Sequence, residues 1–176
     1  LSFASYLQNK LGVRRGDRIA VMMPNLLAFP VAMLGIIRAG AVQVNVNPLY
    51  TPRELEHQLN DAGVETIVVF NGSTPTLAEI RANTGVKTVI TVGVGDAGGV
   101  SLPSPPVDAK LGASVSFTEA LAQGSGLPFE PVALTGDDLI FLQYTGGTTG
   151  LSKGAALSHR NLVANTEQFK SFMPKA

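Results

Sequence analysis

Residues Leu139 to Ala155 read LIFLQYTGGTTGLSKGA and carry the strongest structural signal in the chain. The first four residues are apolar and predict a buried strand, whereas the rest combines four glycines, three threonines and Lys153. Glycine lets backbone amides approach an anion, threonine hydroxyls donate further hydrogen bonds, and lysine adds a mobile positive charge. An ordinary hairpin turn does not need this many glycines together with threonines and a lysine. The pattern therefore predicts a phosphate-binding loop at the edge of a sheet, in preference to a glycine-rich turn.

This loop does not fit the Walker A pattern, in which a Gly-Lys pair precedes Ser or Thr. Lys153 instead follows Ser152 and precedes Gly154. A second glycine pattern, G-x-G-x-x-G over Gly93–Gly98, follows a predicted strand, but prolines within residues 103–106 prevent the helix that dinucleotide binding requires. We therefore predict a phosphate loop of another kind and discount the dinucleotide site.

Upstream of the loop, short apolar runs alternate with segments of helical periodicity. The predicted strands are Ile19–Met23, Ala41–Val46, Thr66–Phe70, Val86–Val92 and Leu139–Leu142. The predicted helices are Ser2–Leu11, Ala28–Arg38, Thr51–Ala62, Pro75–Asn83, Phe117–Ala122 and Ser158–Phe172. This alternation predicts an α/β fold with a largely parallel sheet flanked by helices. The stretch 93–112 is rich in Gly, Pro and Ser, and we expect a flexible loop there.

The run from Ile19 to Ile37 contains no charged residue and nearly reaches the length of a membrane span. Pro24 and Pro30 interrupt it, and its pattern changes from strand-like to helix-like. We therefore predict a short buried strand followed by a buried helix.

Composition excludes several classes of function. The 13 basic and 13 acidic residues of the 176-residue chain cancel, so no basic surface is available to attract nucleic acid. The chain has no cysteine, which excludes a disulfide scaffold, a thiolate metal site and a cysteine nucleophile. The hydrophobic fraction of 45% is enough to build a core.

The titratable residues outside the loop suggest structural roles. His57 and His159 are the only histidines, and neither has a second histidine at metal-ligand spacing. Asp137 and Asp138 precede the last predicted strand. Because neighbouring strand residues point to opposite faces, we expect solvated carboxylates there and not a catalytic pair.

Residues Tyr144 to Gly154 resemble the phosphate-binding signature of the adenylate-forming superfamily, which contains acyl-CoA synthetases, luciferases and peptide-synthetase adenylation domains. Ser152 stands where most members have proline. The resemblance extends to Gly16–Ala20, Arg38–Ala41 and Asn47–Leu55, and the last of these looks most like bacterial long-chain fatty acid–CoA ligases.

The resemblance implies ligation of a fatty acid to CoA at the expense of ATP, through an acyl-adenylate and with Mg²⁺ assisting. It also implies a cytoplasmic enzyme with contact at the inner membrane surface, and we add a homodimer as a possible assembly. Lys153 is expected to offset charge on the leaving pyrophosphate. The residues expected to bind the phosphates of ATP are Tyr144, Thr145, Gly146, Gly147, Thr148, Thr149, Gly150, Lys153 and Gly154.

Residues 1–176 are expected to be an incomplete piece of the family's N-terminal AMP-binding domain, because its later ribose-binding, hinge and catalytic-lysine segments are not found. We expect no ligase activity from this piece alone. Two alternatives stay open at this point: a non-catalytic nucleotide-binding module, and a module that only dimerises.

Overall fold

A computed structural model of the chain describes residues 1–145 and 152–173. Its strands are β1 (Arg18–Met22), β2 (Val42–Val46), β3 (Thr66–Phe70), β4 (Thr88–Val92), β5 (Val115–Ser116), β6 (Leu139–Thr145) and β7 (Lys153–Ser158). Its α-helices are α1 (Ser2–Lys10), α2 (Ala28–Arg38), α3 (Pro52–Asp61), α4 (Thr74–Ile80), α5 (Phe117–Gly124) and α6 (His159–Phe172). Short 3₁₀ turns lie at Asn71–Ser73, Arg81–Asn83 and Ala109–Leu111.

The strands form one seven-stranded sheet in the order β5-β4-β3-β1-β2-β6-β7. Neighbouring strands are parallel throughout, except that β7 runs antiparallel to β6. This arrangement confirms the predicted α/β fold with a largely parallel sheet. The antiparallel pairing of β7 with β6 was not predicted, since the first residues of β7 belong to the glycine-rich segment.

Helices cover both faces of the sheet and bury it in two apolar clusters. Leu55 and Leu59 of α3 belong to one cluster, and Phe3 of α1 and Phe117 of α5 belong to the other. Burial on both faces explains why the strands read as nearly continuous apolar runs. The uncharged run 19–37 divides between β1 and α2, as predicted. Within residues 1–145 and 152–173, no helix combines the length and apolar character needed to cross a bilayer.

Helix α3 begins at the predicted capping box. The Thr51 hydroxyl accepts from the Glu54 amide at 3.4 Å, and the Glu54 carboxylate accepts from the Thr51 amide at 2.8 Å. Gly63 follows the helix with a φ of +61°, a conformation that costs a residue with a side chain about 1 kcal/mol or more. These end signals fix the position of α3 along the chain.

The structure corrects the predicted helix Pro75–Asn83 and the predicted start of the next strand. Helix α4 ends at Ile80 and tightens into the 3₁₀ turn that follows. The amide and hydroxyl of Thr84 both donate to the carbonyl of Arg81, at 3.1 and 2.9 Å, which closes this turn. Strand β4 then begins at Thr88, two residues later than predicted.

The predicted loop 93–112 holds turns over residues 94–99, and no helix opens there. The Asp96 carboxylate accepts from the Gly93 amide at 2.8 Å. The far end of this stretch is anchored, because Leu111 in its 3₁₀ turn is only 2% exposed. The flexibility expected for the rest of the stretch stays a prediction.

Candidate functional site

The predicted phosphate loop is carried by the hairpin of β6 and β7. Strand β6 lies beside β2, with Asn45 opposite Gln143, and the loop therefore leaves the sheet at the carboxyl edge of β2. Across the hairpin, Tyr144 lies opposite Gly154 and Thr145 lies opposite Lys153. The two ends of the loop are thus held side by side at the edge where parallel sheets bind ligands.

Four of the nine predicted site residues can be placed. Thr145 and Lys153 form a directly opposed cross-strand pair, and both are exposed. Opposed residues of a hairpin have Cβ atoms about 5 Å apart, so a hydroxyl and an ammonium group are presented together. Tyr144 and Gly154 form the neighbouring pair. The predicted residues that lie outside the described part of the chain are Gly146, Gly147, Thr148, Thr149 and Gly150.

Tyr144 points to the opposite face of the hairpin from Thr145, as neighbouring strand residues do. Its side chain is 7% exposed, and its hydroxyl donates to Oδ2 of Asp61 at 2.5 Å. Burial and this hydrogen bond raise the pKa of Tyr144 well above its ordinary value, so the phenol stays protonated. Because the Tyr144 hydroxyl already donates to Asp61, the predicted contact of Tyr144 with phosphate would use its backbone atoms.

The Tyr144 ring packs directly against the backbone of Gly154 on the other strand. A Cβ atom on Gly154 would lie 2.9 Å from Cε2 and 3.0 Å from Cζ of the tyrosine ring. Packing therefore explains the glycine at position 154, and the sequence pattern did not reveal this reason. It leaves room for an aromatic ring across the hairpin.

His57 of α3 reaches the other end of the loop. Its Nε2 lies 3.1 Å from the backbone carbonyl oxygen of Ser152. A carbonyl oxygen only accepts, so Nε2 carries the proton and donates. The sequence analysis gave His57 a structural role and did not identify Asp61. The signal available was their spacing, because residues four apart share one face of a helix.

A row of amide side chains fixes β6 against β2. Gln43 donates to Asn45 Oδ1 at 2.6 Å, and Asn45 donates to Gln143 Oε1 at 2.7 Å. Gln58 of α3 donates to the backbone carbonyl of Asn45 at 2.7 Å. Gln43 and Gln58 are fully buried, and Oε1 of each has no partner among the described residues.

A cleft of about 410 Å³ opens beside this row, at the carboxyl ends of β2 and β6. Its lining is formed by Asn45, Val46, Asn47, Tyr50, Gln143 and Tyr144. The polar groups in this lining are neutral amides and phenols, which can orient a ligand through hydrogen bonds. A positive charge lies on Lys153 of the neighbouring hairpin, one of the residues predicted to bind phosphate.

The carboxylates before β6 do not form a pair. Asp137 is exposed and meets Arg160 at 2.9 Å, as expected of a solvated residue. Asp138 differs from the prediction, because its side chain is only 17% exposed and bonds to Arg15 at 2.5 Å. The Thr135 amide and then Arg15 lower the pKa of Asp138 to about 2. Asp138 thus serves as a structural acceptor that holds the start of β6.

Metal-ligating side chains do not gather in the described residues: within 1–145 and 152–173, His, Asp and Glu form no group of three that could hold an ion. The use of Mg²⁺ stays an expectation of the family resemblance.

The whole chain, residues 1–176, matches the family model described as AMP-binding enzyme. The long-chain-fatty-acid–CoA ligase of Salmonella typhimurium is 48% identical over 97% of this chain and 32% of its own length. A crystal structure of a long-chain-fatty-acid–CoA ligase from Archaeoglobus fulgidus superposes with a TM-score of 0.76 at 33% identity, covering 96% of this chain and 30% of that one. Crystalline ATP-bound MatB from Rhodopseudomonas palustris gives a TM-score of 0.71 at 32% identity, over 97% of this chain and 31% of its own. The chain thus spans about a third of the length of the proteins it matches.

Proposed function

The chain belongs to the AMP-binding enzyme family, and from this premise we propose that it serves the ATP-dependent ligation of a fatty acid to CoA. In the first step a carboxylate oxygen attacks the α-phosphorus of ATP, the bond to pyrophosphate breaks, and an acyl-adenylate forms. In the second step the thiol of CoA loses its proton and attacks the acyl carbonyl, and AMP leaves. The names of the similar ligases support the acyl and CoA parts of this proposal.

The observation that carries the proposal is the exposed pair of Thr145 and Lys153 at the head of the hairpin. The first step brings an anionic carboxylate to an anionic phosphate, so catalysis needs positive charge and hydrogen-bond donors placed in advance. Lys153 would offset charge on the leaving pyrophosphate, and Thr145 would donate to a phosphate oxygen. Thr148, Thr149 and the glycine amides complete the proposed set, which rests on the sequence alone.

Magnesium would add positive charge at the phosphates when bound. The described residues include no group of three or more metal-ligating side chains that could hold it. The cytoplasmic location, the contact with the inner membrane surface and the inactivity of this chain alone remain predictions from the resemblance.

ATP binding by isothermal titration calorimetry tests the proposal. An ammonium about 4 Å from a phosphate charge contributes about 1 kcal/mol in water and about 4 kcal/mol at a protein surface. We therefore expect Lys153→Ala to weaken binding of Mg·ATP about tenfold or more, and Thr148→Ala to weaken it by a smaller factor. Lys110→Ala, which removes an exposed lysine far from the hairpin in sequence, is the matched control and should bind as the wild type does. Equal affinity of the wild type and Lys153→Ala would refute the assigned role.

One observation favours dimerisation as a second candidate. Helix α6 exposes Val163, Phe169 and Phe172, which are 60%, 63% and 86% accessible. Exposed apolar groups on one element are typical of interaction surfaces. Sedimentation of the purified chain decides this, since a monomer at micromolar concentration would exclude a stable dimer through α6.

A further inference from the structure

Helix α3 holds both ends of the phosphate loop. Asp61 accepts from the Tyr144 hydroxyl at 2.5 Å on the incoming strand, and His57 donates to the Ser152 carbonyl at 3.1 Å on the outgoing side. His57 and Asp61 are four residues apart, so both project from one face of the helix. We refer to these four residues as the stem clamp.

The helix that carries the clamp is itself fixed to the sheet. Leu55 and Leu59 are fully buried beneath it, and Gln58 donates to the backbone of β2 at 2.7 Å. On the strand side, the Tyr144 ring is confined by the backbone of Gly154, where even a Cβ atom would come within 2.9 Å. The clamp therefore joins the loop ends to a rigid part of the fold and not to a mobile surface group.

We propose that His57 and Asp61 are positioning residues that hold the two ends of the phosphate loop and thereby set its affinity for the polyphosphate of ATP. This inference rests on the proposed function and deepens it. Neither side chain is required to touch the nucleotide. A glycine-rich segment has much conformational freedom to lose when it binds, and fixing both of its ends reduces the entropy that binding must overcome.

The experiment compares His57→Ala, His57→Gln and Asp61→Ala with the wild type, using Mg·ATP as the probe in calorimetry. The control Asn60→Ala removes a neighbouring side chain that donates to Asn83 at 3.0 Å, on an exposed part of α3. Loss of one anchoring hydrogen bond should weaken ATP binding about fivefold for His57→Ala and for Asp61→Ala. His57→Gln keeps an N–H donor and should restore most of the affinity, while Asn60→Ala should bind ATP as the wild type does.

Thermal unfolding of each variant separates positioning from a merely structural role. Positioning requires that His57→Ala lose affinity at a temperature where it is fully folded and that His57→Gln recover it. If Asp61→Ala fails to fold because Tyr144 loses its partner, the two His57 variants still decide the matter. Wild-type affinity in folded His57→Ala, or equal losses in the alanine and glutamine variants, would overturn the inference.

If Lys153→Ala weakens ATP binding while both His57 variants bind normally, the proposed function stands and only the clamp is wrong. Absence of ATP binding by the wild type would instead contradict the proposed function itself.

Discussion

Gly154→Ala is the most informative single change at the hairpin, because it tests the packing that holds Tyr144 in place. The added Cβ would lie 2.9 Å from Cε2, 3.0 Å from Cζ and 3.3 Å from the hydroxyl oxygen of Tyr144. A normal contact between carbon atoms is about 3.5 Å or longer, so the ring must move by roughly half an ångström or more. The ring cannot move freely, since its hydroxyl is bonded to Asp61 and its side chain is 7% exposed.

Two opposed effects set the change in the free energy of unfolding that Gly154→Ala causes. Losing a hydrogen bond to a charged group costs about 1.5 to 3 kcal/mol, and Asp61 is exposed, which favours the lower part of that range. Replacing glycine by alanine where φ is not positive stabilises by about 0.4 to 1 kcal/mol through the unfolded chain. Gly154 is not among the residues with positive φ, so this gain applies. We expect a net loss of about 1 to 2 kcal/mol in the free energy of unfolding.

Urea unfolding followed by far-ultraviolet circular dichroism measures this loss, and Tyr144→Phe supplies the second arm of a double-mutant cycle. In the Phe background the hydrogen bond to Asp61 is already absent and the ring is free to shift. Gly154→Ala should then cost less than about half as much. Gly85→Ala is the matched control, because its Cβ would meet only a carbonyl oxygen at 3.6 Å, and it should leave stability unchanged or slightly raised. An equal cost in the Tyr and Phe backgrounds would show that the ring is not the obstacle.

Three further predictions concern the scaffold around the site. Asp138→Asn should destabilise the chain at neutral pH, and the difference in stability from the wild type should disappear between about pH 4 and pH 2. The Thr135 amide, as the largest cause, lowers the pKa of Asp138 from 3.8 to about 2. The stabilisation by the Asp138 carboxylate is therefore present above the unfolded pKa and is lost as pH falls through the folded pKa. Urea unfolding at a series of pH values checks this, and a difference that persists unchanged at low pH would contradict it. Gly124→Ala should lower the free energy of unfolding by about 2 kcal/mol or more, because its Cβ would come within 2.0 Å of the Ser2 carbonyl oxygen; a wild-type midpoint in urea would count against this packing. Thr51→Ala should cost about 1 kcal/mol by removing the N-cap of α3, whereas the serine variant should retain most of the stability in the same assay.

Local sequence signals account for most of the fold. The apolar run of β1 and the capping box at Thr51 were recognisable because burial and end capping act over a few residues. The end of α4 at Ile80 was not, since the 3₁₀ turn beyond it is closed by hydrogen bonds to a single carbonyl, that of Arg81. The start and pairing of β7 were not predictable for a similar reason, because the residues after Ser152 show no apolar alternation and form a strand by pairing with β6.

For the candidate site, too, the residue types could be predicted from the sequence, whereas the contacts between them could not. Glycine, threonine and lysine predict a phosphate loop from their identity alone, since few other structures need that combination. The contacts that fix its ends join residues far apart in sequence: Tyr144 and Asp61 are separated by 83 positions, Ser152 and His57 by 95, and Gln143 and Asn45 by 98. No motif confined to the loop can report such contacts. Affinity for the polyphosphate should therefore depend on side chains of β2 and α3 that carry no phosphate chemistry of their own, and substitutions there should alter binding even though the sequence of the loop is unchanged.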